Sequence, residues 1–103
     1  MRDALRQLVV SVRSGLPFDV FVGRPSLFGN PWSHLVLPNT VLVDSVEEAI
    51  LRYSAYVTTC EAIMREVPRL RGLRLGCPGR CRFPLCHAAV LAQLANRPMR
   101  RAA

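Results

Sequence analysis

The sequence predicts a small α/β protein in which helices pack against a short, partly parallel sheet. Segments with strand-like alternation of apolar residues take turns along the chain with segments of helical periodicity. The 103 residues suffice for one hydrophobic core but not for two, and half of them are apolar. We therefore predict a single domain over residues 1–103, with its core at about 7–97 and a basic tail at 98–103.

Three segments alternate as strands do, at residues 7–12, 18–23 and 73–77. Between the first two, residues 13–17 form a turn or short loop. A further turn at Pro38-Asn39 precedes a short extended piece.

The clearest helix begins at Ser45. Ser45 with Glu48 forms a capping box, in which a hydroxyl and a carboxylate bind free amides at the helix start. Thr58 with Glu61 repeats this signature, so we expect the helix to break and restart there. The apolar stripe of this helix consists of Val46, Ala49, Ile50, Tyr53 and Val57.

Two more boundaries complete the predicted order of elements. Val67-Pro68 ends the helical stretch, since the residue before a proline avoids helical angles. A last helix begins at Cys86 or His87 and ends at Asn96.

The net charge of +7 lies entirely in the second part of the chain. Residues 1–60 carry five Arg and five acidic residues, whereas residues 61–103 carry nine Arg and two acidic residues. Every basic residue counted is Arg, which forms bidentate contacts with phosphate. The excess predicts a nucleotide or nucleic-acid partner, or else an ordinary solvated surface.

The sequence also indicates a cytoplasmic protein without a membrane partner. No apolar run approaches the roughly 18–20 residues that span a bilayer, and the N-terminus does not resemble a signal peptide. The cytoplasm keeps thiols reduced, so the four Cys favour metal or thiol chemistry over disulfides.

The first candidate site is the loop that follows the second predicted strand. Loops at the carboxyl ends of strands are common ligand sites in α/β proteins. The predicted ligand-binding residues are Gly23, Arg24, Ser26, Gly29 and Asn30. The glycines permit close backbone approach and Arg24 can bind an anion. The alternative is a rigid turn held by two prolines.

The second candidate site is a cluster of thiols and an imidazole before the last helix. Cys77, Cys81, Cys86 and His87 are predicted to bind zinc, with Cys60 or an outside group as a substitute ligand. A second interpretation makes Cys86 and His87 candidate catalytic residues, because a helix N-terminus lowers the pKa of a thiol. The third is that these thiols are buried and structural.

Three other residues are weaker candidates. Trp32 is expected to anchor the loop or to stack on a base. His34 is expected to be solvated, and Tyr53 to lie in the core.

The two motifs together resemble the bacterial and phage family known as domain-of-unknown-function family 4326. The resemblance covers roughly residues 8–97 and includes a GRxSxxGNP-like loop at 23–31, an LRGKxLxC-like stretch at 70–77 and a Cys-x4-Cys-His ending at 81–87. Two features depart from the family pattern: three residues separate Cys77 from Cys81 where one is usual, and Ala88-Ala89 replaces Gly-Asp. The resemblance implies the fold and the site location but no activity, and whether the protein is an enzyme stays open.

If the strands before the two motifs are parallel neighbours, both motifs reach one edge of the sheet. We then expect one pocket to be formed by Arg24, Asn30, Cys77, Cys81, Cys86 and His87. The predicted function is binding of a phosphate-bearing ligand, a nucleotide or nucleic acid, in that pocket. The alternatives are a non-enzymatic, zinc-stabilised protein that binds nucleic acid or an acidic partner, and a phage accessory protein that packs against a partner.

Overall fold

The structure is a computed structural model that describes residues 2–24, 26–79 and 83–97. It confirms the predicted α/β class, with helices packed against short parallel strands. The basic tail predicted for 98–103 lies outside the described residues. The elements in chain order are α1 (Arg2–Arg6), β1 (Val9–Ser11), β2 (Val20–Phe21), β3 (Trp32–Ser33), β4 (Val41–Leu42), α2 (Val46–Thr59), α3 (Glu61–Glu66), β5 (Leu75–Cys77) and α4 (His87–Ala95).

The main sheet has the order β1-β5-β2, with both pairings parallel. Leu75 pairs with Val9 on one side and with Val20 on the other. The expected parallel pairing between the strands that precede the two motifs is therefore confirmed. Because all three strands run in the same direction, their carboxyl ends lie along one edge of the sheet.

The register of β2 on β5 is fixed by a polar pair at the start of both strands. The backbone N–H of Asp19 donates to the carbonyl of Arg74 over 2.8 Å, and the N–H of Arg74 donates to the Asp19 carboxylate over 2.7 Å. The hydrogen bond from the Arg74 backbone lowers the pKa of Asp19.

A second, two-stranded parallel sheet is formed by β3 and β4. Its first strand, β3, is not apparent from the sequence. Backbone bonds of 2.8 Å from Val41 N to Pro31 O and of 2.9 Å from Val43 N to Ser33 O hold it. The two residues joined by each bond are about ten positions apart in the chain. Local sequence pattern alone therefore does not reveal the pairing.

Helix α2 begins as predicted. The Ser45 hydroxyl accepts from Glu48 N at 3.0 Å, and the Glu48 carboxylate accepts from Asp44 N at 3.3 Å. The second cap predicted at Thr58 is wrong by two residues. The Thr58 hydroxyl donates back to Ser54 O at 2.9 Å, and α2 continues to Thr59 before Cys60 caps α3.

The observed main strands are shorter than predicted, and α1 was not predicted. After β1 the chain enters a 3-10 turn at Val12–Ser14, which ends at Gly15 with a left-handed φ of 77°. A second 3-10 turn, Val67–Leu70, follows α3, with Pro68 in its first turn.

No helix in the described ranges is long and apolar enough to cross a membrane.

The core joins the sheet to α2 and α4, and Tyr53 is its largest fully buried side chain. Its hydroxyl donates to the carbonyl of Phe28 over 2.6 Å. Burial raises the pKa of Tyr53 strongly, so the group stays a neutral donor. The loop after β2 is thus fastened to α2 by a buried hydrogen bond.

We expect Tyr53→Phe to lower the free energy of unfolding by about 1–3 kcal/mol, because it leaves the buried carbonyl of Phe28 without its donor. Urea denaturation measures the change. Tyr56→Phe is the matched control, since Tyr56 is a half-buried tyrosine on the same helix, and it should change stability by less than about 0.5 kcal/mol. Equal effects of the two variants would contradict the role given to the Tyr53 hydroxyl.

Candidate functional site

A cavity of about 520 Å³ lies at the carboxyl edge of the main sheet. Arg13 follows β1, Arg24 follows β2, and Pro78 and Gly79 follow β5, so each strand of the sheet supplies part of the wall. The remaining wall comes from the end of β5, from β3 with the residues on either side of it, from α2, and from the start of α4. Its residues are Asn30, Trp32, Ser33, His34, Leu35, Leu37, Val46, Ala49, Ile50, Cys77, Leu85 and His87.

The loop after β2 is shaped by two successive turns. Ser26 N donates to Gly23 O at 2.9 Å, and Gly29 N donates to Ser26 O at 3.0 Å. The Arg24 side chain donates from Nη1 to the carbonyl of Asn30. A Cβ at Gly29 would lie 2.8 Å from Arg24 Cγ and 3.0 Å from Arg24 N, so glycine is needed for this approach.

Asn30 lines the cavity, but its amide is engaged by the protein itself. Oδ1 accepts from Trp32 N at 2.9 Å, and Nδ2 donates to Ala49 O on α2 at 3.4 Å. These bonds connect the loop to β3 and α2. We interpret Asn30 as a residue that positions Arg24 and Trp32.

His87, the first residue of α4, is buried and connects the helix to β2. Its Nε2 lies 2.8 Å from the carbonyl of Val22. A carbonyl only accepts, so Nε2 carries the hydrogen, and the neutral ring has its lone pair on Nδ1. Burial lowers the pKa of His87; the hydrogen bond to Val22 and the electrostatic effect of Cys77 oppose this change, and that of Arg24 adds to it.

The predicted metal ligands are placed in different surroundings. Cys77 ends β5 and lines the cavity with His87, whereas Cys86, the residue before α4, does not line it, although both thiols are buried in the hydrophobic core. Cys81 lies outside the described residues. Cys60 lies half-buried between α2 and α3 and does not line the cavity. Among the residues that the structure describes, no group of three or more His, Cys, Asp or Glu is placed to hold one metal ion.

The charge of the cavity is positive. Arg13 and Arg24 line it, and the described lining residues include no Asp or Glu. Ion pairs within the described ranges involve Arg52, Arg69 and Arg74, and neither cavity arginine is among them. Guanidinium groups in this position are suited to binding an anion.

Four of the six residues expected to share a pocket do so: Arg24, Asn30, Cys77 and His87. Gly23 and Gly29 shape the loop, and a Cβ at Gly23 would lie 2.9 Å from Pro78. Ser26 does not line the cavity, and its buried hydroxyl has no hydrogen-bond partner among the residues that the structure describes. The ligand-binding role of these loop residues stays a prediction.

Sequence reasoning missed Arg13 and underrated Trp32 and His34, which all line the cavity. Arg13 could have been found from its place two residues after a strand that is parallel to the strand of the cysteine motif. His34 and Trp32 carried no local signal, because β3 forms only through pairing with β4.

These features define an α/β protein with a cationic cavity at the carboxyl edge of a parallel sheet. The family model described as Domain of unknown function (DUF4326) matches residues 10–97. The chain therefore belongs to that family, as its two motifs predicted. Comparison with curated proteins and with solved structures found no match.

We expect Gly29→Ala to lower the free energy of unfolding by about 1–3 kcal/mol, because the new methyl group would collide with the backbone of Arg24. Gly79→Ala is the matched control. A Cβ at Gly79 meets no atom of the described residues within 4 Å, so this variant should stay within about 0.5 kcal/mol of the parent. Thermal and urea denaturation measure both, and a Gly29 variant as stable as the Gly79 variant would refute the close packing.

Proposed function

We propose that the cavity binds a phosphate-bearing ligand, a nucleotide or a nucleic acid. The observation that carries the proposal is the presence of two arginines, Arg13 and Arg24, in a 520 Å³ cavity without a carboxylate among its described lining residues. Cavities of roughly 300–1,000 Å³ are typical of small-molecule sites. Arginine forms strong, charge-assisted hydrogen bonds with phosphate.

The geometry around Arg24 supports a role in binding. One nitrogen of the guanidinium is held by the carbonyl of Asn30, which fixes the direction of the side chain. The guanidinium has further N–H groups that can donate to phosphate oxygens. The start of α4 at His87 also borders the cavity, and helix N-termini favour anions.

We expect nucleotides to raise the melting temperature of the protein, and Arg24→Gln to weaken their binding about ten- to 150-fold. That range corresponds to the loss of a charged hydrogen bond worth about 1.5–3 kcal/mol. Titration calorimetry with nucleoside mono- and diphosphates and with single-stranded oligonucleotides measures the affinities. Arg65→Gln is the control, because it removes the same charge from the exposed surface of α3.

Retained affinity in Arg24→Gln, or equal losses in both variants, would contradict a specific role for Arg24. If none of these phosphate compounds binds at millimolar concentration, the proposed function is wrong.

A second candidate function is favoured by the presence of Cys77 and His87 in one cavity. It is a zinc-stabilised, non-enzymatic protein that binds nucleic acid or an acidic partner through its Arg-rich half. The hydrogen bond from His87 Nε2 leaves Nδ1 as the atom that can bind a metal. A tetrahedral site needs four ligands, and the other two candidates of the motif are Cys81 and Cys86.

If this candidate is correct, elemental analysis of the purified full chain gives about one zinc ion per chain, and a chelator lowers the melting temperature. Cys81→Ser should lose the metal. Cys60→Ser should keep it, since Cys60 lies away from the cavity. Metal-free protein with an unchanged melting temperature in chelator would exclude the zinc-stabilised form.

A further inference from the structure

The residues that line the cavity fall into two chemically different groups. The cationic group, Arg13 and Arg24, follows the strands of the main sheet. The other group comes from β3, the segment after it, and α2, and most of its members are apolar. The larger apolar side chains in it are Trp32, Leu35, Leu37, Val46 and Ile50. A phosphate group alone would occupy only the first part of a 520 Å³ cavity.

The apolar part contains side chains that are exposed to an unusual degree. Leu35 is 54% exposed and Leu37 is 39% exposed, although both line the cavity. On α2, Val46 and Ile50 belong to the predicted apolar stripe but are only half-buried. Covering this surface with a flat apolar group would remove it from water, at about 25 cal/mol per Å².

Trp32 is held in place at this wall before any ligand arrives. Its backbone N–H is bound by Asn30, it pairs with Val41 in the second sheet, and its ring packs edge-on against Tyr56 at a centroid distance of 5.5 Å. A fixed aromatic ring is suited to stacking on a nucleobase, which contributes about 1–3 kcal/mol per base.

Asn30 also couples the aromatic ring to the cation. Its carbonyl binds the Arg24 side chain and its amide oxygen binds the backbone of Trp32. One residue therefore positions a phosphate-binding group and an aromatic ring along the same cavity. A nucleotide carries an anionic group and a flat base on one sugar, which fits this pairing.

On the basis of the proposed function, we infer that the ligand is a mononucleotide whose phosphate is bound by Arg13 and Arg24 and whose base packs against Trp32. The volume of about 520 Å³ lies in the range of small-molecule sites, which favours a single nucleotide over a continuous strand. Trp32 is a recognition residue in this arrangement. It discriminates a base-bearing phosphate from a sugar phosphate.

The test compares nucleoside 5′-monophosphates with ribose 5-phosphate on the full chain by titration calorimetry. We expect the best nucleotide to bind at least tenfold more tightly than ribose 5-phosphate. Trp32→Leu should weaken nucleotide binding about five- to 150-fold, the equivalent of one stacked base, and leave ribose 5-phosphate within about twofold. Arg24→Gln should weaken both ligands.

Trp32 is the single tryptophan of the chain, so its fluorescence is an independent measure. Nucleotides should change it, and ribose 5-phosphate should not. Trp32→Phe keeps an aromatic ring and should retain most of the nucleotide preference, which separates stacking from a general folding defect.

The possible failures are distinguishable. Equal affinity for nucleotides and ribose 5-phosphate overturns the inference while the proposed phosphate site stands. Binding of single-stranded oligonucleotides without binding of mononucleotides also overturns it. If no sugar phosphate, mononucleotide or oligonucleotide binds, both the inference and the proposed function fail.

Discussion

The parallel pairing of β5 between β1 and β2 is the constraint on which the rest of the structure depends. Strands of two or three residues have few hydrogen bonds, so the sheet is stabilised mainly by burial of its central strand, and Leu75 is fully inaccessible. This pairing brings residues that are far apart in the chain to one edge. Arg13, Arg24 and Pro78 share a cavity for this reason.

Most polar groups in and around the loop after β2 form hydrogen bonds within the protein. Tyr53 binds Phe28 O, Asn30 binds Trp32 N and Ala49 O, and His87 binds Val22 O. A buried polar group without a partner costs about 1–3 kcal/mol, which explains why these side chains bind backbone atoms. The guanidinium groups of Arg13 and Arg24 and the indole ring of Trp32 are among the groups that line the cavity.

Much of the fold could be predicted where local chemistry decides it. The Ser45 cap, the buried side of α2 and the bounds of α4 follow from residue type and spacing. The exact strand ends and β3 could not, since they depend on pairing between distant segments. Arg24, Cys77 and His87 line one cavity as expected, and their role in binding stays a prediction. Alternation along a strand does not show which thiol reaches the cavity: both Cys77 and Cys86 are buried in the core, and Cys77 alone of the two lines the cavity.

Gly23 lies in a narrow space between two rings, one on β2 and one just beyond the end of β5. A Cβ at position 23 would lie 2.4 Å from Phe21 Cζ and 2.9 Å from the ring of Pro78, which is 55 positions later in the chain. The glycine is therefore required by a residue of the strand before it and by one beyond the end of β5. Replacing Pro78 by a smaller residue would not by itself make room for a side chain at position 23, because the Phe21 ring lies closer still.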